Sequence, residues 1–112
     1  MTKVIRDTVV AHLNAIPPGE GRNFTVRGVQ LAIFHARSGQ VFATQASCPH
    51  KTGPLADGLV GGDVLVCPLH SWKFDLRSGD AILGECGIKT YPARLDPEGR
   101  IVITLDPLEG ND

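Results

Sequence analysis

Three four-residue stretches, RSGQ at 37–40, RSGD at 77–80 and PEGR at 97–100, each set a glycine between short runs of branched and aromatic residues. Glycine supplies the positive φ of a tight turn, which other residues adopt only with strain. The runs are VQLAIF at 29–34, VFATQA at 41–46, DVLV at 63–66, WKFDL at 72–76 and RIVITL at 100–105. Their length and composition are those of strands. In WKFDL and the arginine after it, Trp72, Phe74 and Leu76 alternate with Lys73, Asp75 and Arg77, the period of a strand with one apolar face. IPPGEGRN at 16–23 cannot continue a helix, because Pro17 and Pro18 fix φ and remove two donors, although a short helical turn fits before it. The expected fold is all-β: an antiparallel sandwich or barrel of short strands joined by hairpins.

The chain has 112 residues, 42% of them hydrophobic, which is one domain's length and enough for a single core, so residues 1–112 are read as one unit. Eleven basic residues against twelve acidic ones leave a formal charge of −1. That provides no basic field for nucleic acid or for an anionic membrane surface. No apolar run approaches the roughly 18 residues of a membrane span. The start MTKVIRDTVVAH is interrupted by Arg6, Asp7 and His12 where a signal peptide needs an apolar stretch, so the expected location is the cytoplasm. Three cysteines make an odd number for a disulfide framework, and in a reducing compartment clustered cysteines bind metal or do chemistry.

Two of those cysteines come with histidines. SCPHK at 47–51 holds Cys48 and His50, and VCPLHSWKFD at 66–75 holds Cys67 and His70, giving C-x-H, sixteen residues, then C-x-x-H. Both pairs fall in loops, one after the strand ending near Ala46 and one between Val66 and Trp72. Two such loops at one end of a sandwich bring four ligands together. Thiolate and imidazole select zinc or iron–sulfur chemistry over calcium or magnesium, which want oxygen. The common two-cysteine, two-histidine zinc module sets its histidines three to five residues apart on a helix, and no such helix is evident. Mixed pairs make better sense for two inequivalent irons, each loop giving a thiolate to one and an imidazole to the other, as in a Rieske [2Fe–2S] cluster.

Cys48, His50, Cys67 and His70, with Gly53, Leu55, Gly58, Pro68, Trp72, Phe74 and Gly79 around them, resemble the cluster-binding region of Rieske proteins, over about residues 16–105. The resemblance implies that Cys48 and Cys67 bind an inner iron, and that His50 and His70 bind an outer one through Nδ1 with their other ring nitrogens facing solvent or a partner. Two ferric ions, two sulfides and two thiolates sum to zero with neutral imidazoles, so an electron enters more easily than in a four-thiolate centre. Rieske potentials accordingly run from roughly −150 to +300 mV, against about −400 mV for plant-type ferredoxins. Rieske proteins of quinol-oxidising complexes have two further cysteines where this chain has Thr52 and Leu69. Lacking that disulfide, the chain is more similar to soluble Rieske ferredoxins, and the lower part of the range is expected.

CPHKTGPLADG at 48–58 and GECGIKTYPARL at 84–95 resemble the small ferredoxin-like subunit of NAD(P)H-dependent assimilatory nitrite reductase. HSWKFDLRSG at 70–79 resembles the ferredoxin component of aromatic-ring dioxygenases nearly as well. The implied function is one-electron carriage from a flavin reductase to a terminal oxidoreductase, preferably in nitrite reduction, without catalysis by this chain alone. A non-redox zinc or interaction module is the reading from another class. Cys86 is expected to be a small residue packed in a loop, and His12 and His35 to lie on or near the surface. Trp72 is core packing, a shield for the irons or part of an electron path. Lys51 and Lys73, flanking the loops, are solvated or steer an acidic partner.

Overall fold

The computed structural model describes residues 6–47, 54–67, 72–84 and 86–105. Its strands, in chain order, are β1 (Arg6–His12), β2 (Glu20–Val26), β3 (Val29–His35), β4 (Val41–Gln45), β5 (Leu59–Gly61), β6 (Val64–Val66), β7 (Lys73–Asp75), β8 (Ala81–Leu83), β9 (Thr90–Tyr91), β10 (Ala93–Leu95) and β11 (Arg100–Leu105). They form three antiparallel sheets, ordered β1-β11-β10, β2-β3-β4-β9 and β5-β6-β7-β8. None closes on itself, so the sandwich half of the expectation holds and the barrel half does not.

The three glycine turns form as read. Gly39, Gly79 and Gly99 take φ of 96°, 82° and 81° at the β3–β4, β7–β8 and β10–β11 connections. The short helical turn before the prolines is a 3-10 turn at Leu13–Ala15, capped by His12, whose Nδ1 accepts the Asn14 amide at 3.1 Å.

The middle strand explains the layering. Leu31 and Ile33 of β3 sit in a cluster with Ile16, Val26, Ile101, Ile103 and Leu105. Ala32 and Phe34, pointing the opposite way, join Leu55, Leu65, Cys67, Phe74 and Leu76. Successive side chains of a strand leave on opposite faces, so β3 serves two cores at once. The single core expected from composition is therefore corrected to two, one on each side of the central sheet. Between the outer β5–β8 sheet and the β3–β4 hairpin, Arg77 ties the layers: Nε bonds Asp63 at 2.8 Å, Nη2 bonds Gln40 at 2.9 Å, and the guanidinium lies 5.7 Å from the Phe42 ring centre. Among the described residues no helix is long and apolar enough to cross a membrane.

Candidate metal centre

Both candidate ligand segments, 48–53 and 68–71, are flanked by closed necks. The first departs after β4: Ser47 and Pro54 form an antiparallel bridge, and the Leu55 amide donates to the Ala46 carbonyl at 3.0 Å. Leu55 and Ala56, in a 3-10 turn at Leu55–Asp57, are buried and pull the returning chain into the core. The second departs after β6, where the Cys67 amide donates to the Trp72 carbonyl at 2.7 Å and Val66 pairs with Lys73.

The necks are fastened to each other. Leu59, just past the first loop, pairs with Val66, just before the second. Gly58 makes that approach: a Cβ built there would stand 2.4 Å from the Val66 carbonyl oxygen, closer than any side chain tolerates. Gln45 braces the other side, its Nε2 donating to the Ser47 carbonyl at 2.6 Å and its Oε1 accepting the Lys89 amide at 2.8 Å. Sequence reading missed Gln45, because a lone polar residue at a strand end carries no pattern.

Of the four expected ligands, Cys67 has a described position, and Cys48, His50 and His70 lie outside the described residues, as do Lys51, Thr52, Gly53, Pro68 and Leu69. Cys67 is 2% exposed and packs in the cluster that includes Leu55, Leu65 and Phe74. A buried sulfur at the root of a loop suits an inner ligand, shielded from water. Trp72, across the neck, is half-buried with its ring 6.3 Å from that of Phe74. Its indole lies on Gly84, where a Cβ would come within 2.6 Å of the ring. Packing thus accounts for Trp72, whether or not it also shields a metal.

The other histidines serve the backbone. His12 Nε2 lies 3.1 Å from the Glu98 carbonyl oxygen, and His35 Nδ1 lies 2.6 Å from that of Ile16. Among the described residues no group of three or more His, Cys, Asp and Glu side chains could hold a metal. Cys86 is exposed, correcting the expectation that it packs. The core place in its segment belongs to Ile88, whose amide donates to the Gly79 carbonyl at 2.8 Å.

A layered antiparallel fold with two joined loop necks, the second rooted at the buried Cys67, is the architecture of a small iron–sulfur protein of the Rieske class. The chain belongs to the Rieske [2Fe–2S] domain family, whose model matches residues 6–92, and its cofactor is a [2Fe–2S] cluster. The ferredoxin component of the naphthalene 1,2-dioxygenase system of Pseudomonas aeruginosa is 35% identical over 95 residues, which are 83% of this chain and 89% of that protein. Nitrite reductase [NAD(P)H] of Emericella nidulans is 38% identical over 109 residues, 86% of this chain but 10% of that much longer one. Among solved structures, a protein assigned as the NADH-dependent nitrite reductase small subunit of Mycobacterium tuberculosis superposes with a TM-score of 0.83 at 26% identity, covering 91% of this chain and 96% of that one. The chain is an electron carrier of the Rieske ferredoxin kind.

Proposed function

We propose that this chain passes single electrons from an NAD(P)H-oxidising flavin reductase to a terminal oxidoreductase, as the small subunit of a nitrite reductase, with Cys48, His50, Cys67 and His70 holding the cluster. The observation that carries this reading is the fastening of the two loop necks through the Leu59–Val66 pair, with Cys67 buried at the root of the second. When bound, the cluster supplies a reversible one-electron site in a neutral oxidised form. The chain's own residues do the rest. Cys48 and Cys67 would hold the cluster through their thiolates and His50 and His70 through their imidazoles, while the braced necks keep the roots of both loops fixed. Supply of NAD(P)H to the reductase puts this work in the cytoplasm.

Nitrite reduction is supported by the superposition on the Mycobacterium tuberculosis protein and by the identity to the Emericella nidulans enzyme. The second reading, a ferredoxin for an aromatic-ring dioxygenase, is favoured by the match that spans nearly the whole Pseudomonas protein.

Anaerobic purification followed by metal analysis tests the cluster: a red-brown protein with iron and sulfide in equal amounts is expected, and a colourless one with a single zinc would replace the reading by the structural module. Mixing the reduced protein with a nitrite reductase large subunit or with a ring-hydroxylating oxygenase then separates the two electron acceptors. Film voltammetry should give a potential below about +200 mV, away from the top of the Rieske window. His50→Cys should lower it further by restoring thiolate charge, and an unchanged value would remove His50 from the ligand set.

A further inference from the structure

The sheet that roots both loops has an outward face with an apolar row. Leu59, Val66, Lys73 and Leu83 pair consecutively across β5, β6, β7 and β8. Their strand neighbours Val60, Leu65 and Phe74 are buried, which fixes the row's direction as outward. Leu59 is 72% exposed and Leu83 55%. An extra residue in β8 enlarges the patch. Opposite the single step from Lys73 to Phe74, β8 takes two, from Leu83 to Ala81, and this bulge leaves Ile82 as exposed as Leu83. Scattered exposed leucines are ordinary, but three large aliphatic side chains on one small sheet form a patch of the kind that marks interaction sites. The row also lies at the loop end of its sheet, since Val66 and Lys73 bracket the second loop and Leu59 follows the first.

Lys73 stands in the middle of the row and makes no ion pair among the described residues. Asp75, two residues on and facing the same way, is engaged: its Oδ1 accepts the amides of Arg77 at 2.8 Å and Ser78 at 3.4 Å. The patch therefore offers aliphatic surface around a cation that has no ion-pair partner among the described residues.

We propose that this row is the footprint of the flavoprotein reductase that gives electrons to the chain, and that the reductase brings an apolar surface with a carboxylate placed opposite Lys73. The proposal rests on the electron-carrier reading above. Aliphatic area contributes desolvation on contact, while the lysine orients the encounter and makes it salt-dependent. A second copy fits less well, because a two-fold axis through the row sets Lys73 against its own twin.

Stopped-flow reduction tests the footprint, using a NAD(P)H-oxidising flavoprotein reductase that reduces the wild-type protein, with dithionite as a reductant that needs no docking. The double variant Ile82→Ser/Leu83→Ser and the single variant Lys73→Glu should each lose about tenfold or more in the second-order rate with the reductase. Lys73→Arg should stay within about twofold of wild type, and Lys73→Glu should abolish or reverse the salt dependence. The dithionite rate, visible spectrum and electron paramagnetic resonance signal should not change. Reductase rates indifferent to the serine pair and to Lys73→Glu would overturn the footprint alone, and so would a wild-type dimer in sedimentation, or binding to anionic vesicles, that the serine pair abolishes. A colourless, iron-free wild-type protein would overturn the electron-carrier reading and the footprint together, a result plainly different from coloured protein with unaltered rates.

Discussion

Cys67 packs in the core and is a proposed cluster ligand, and the two roles are separable by substitution. Cys67→Ser nearly preserves volume in the cluster of Leu55, Leu65 and Phe74 but removes the soft donor. Loss of the visible absorption is expected while the far-ultraviolet circular dichroism keeps its β signature; retention of full colour would mean that the sulfur is not a ligand. Gly58 acts on the same site through the backbone. Gly58→Ala forces its Cβ against the Val66 carbonyl and should cost about 1–3 kcal/mol, read as a lower denaturant midpoint. Two surface carboxylates contribute to the acid sensitivity of the fold. The Thr104 hydroxyl, then the Arg94 guanidinium, hold the Asp7 carboxyl below its ordinary value, and the Arg100 amide chiefly does so for Asp96. Because the folded values lie below the unfolded ones, their stabilisation is complete above the ordinary carboxylate range of about 4 and disappears as pH falls through the folded values. Thr104→Val should therefore flatten the decline of melting temperature as pH falls below about 4, and an unchanged slope would assign that decline to other groups.

At the scale of elements, turns and ligand spacings were readable because single residues dictate them. Gly39, Gly79 and Gly99 mark connections through a backbone geometry that only their side-chain-free Cα adopts cheaply, and β11 matched its expected span of 100–105. Other elements gave weaker signals. The β2 strand was hidden in EGRNFTV, where Gly21 is required because a Cβ would meet the Phe34 ring at 2.5 Å. The β9 and β10 strands are two and three residues long and flank Pro92, too short for a periodic pattern. The β8 bulge was illegible, since two adjacent exposed aliphatics imitate neither strand alternation nor a turn. At the site, the pairing of cysteine with histidine identified the family from four residues, whereas the fastening of the loop necks depends on cross-strand contacts that no local stretch encodes. Gln45→Ala tests that fastening. It deletes two side-chain bonds at an exposed neck, at about 0.5–1.5 kcal/mol each. Faster hydrogen exchange at the Lys89 amide and earlier loss of colour on warming should follow, with little change in the β1–β11 sheet.

For the molecule as a whole, the length and hydrophobic content that suggested a single core did not show that 112 residues would build two. The continuous apolar run of β3 was the available clue: in an antiparallel sheet with one wet face such a strand alternates, and a strand buried on both faces does not. Phe34→Ala should cost about 3–5 kcal/mol and lower the thermal midpoints of both outer sheets together; a melt resolved into two steps would show that the layers unfold separately. The shared middle strand also limits what an engineer can transplant. The sheet of β5 to β8 rests on Ala32 and Phe34, which precede it in the chain, so a graft of the candidate site onto a foreign host must bring along that strand or an aromatic substitute for it, or its lower surface will be left wet.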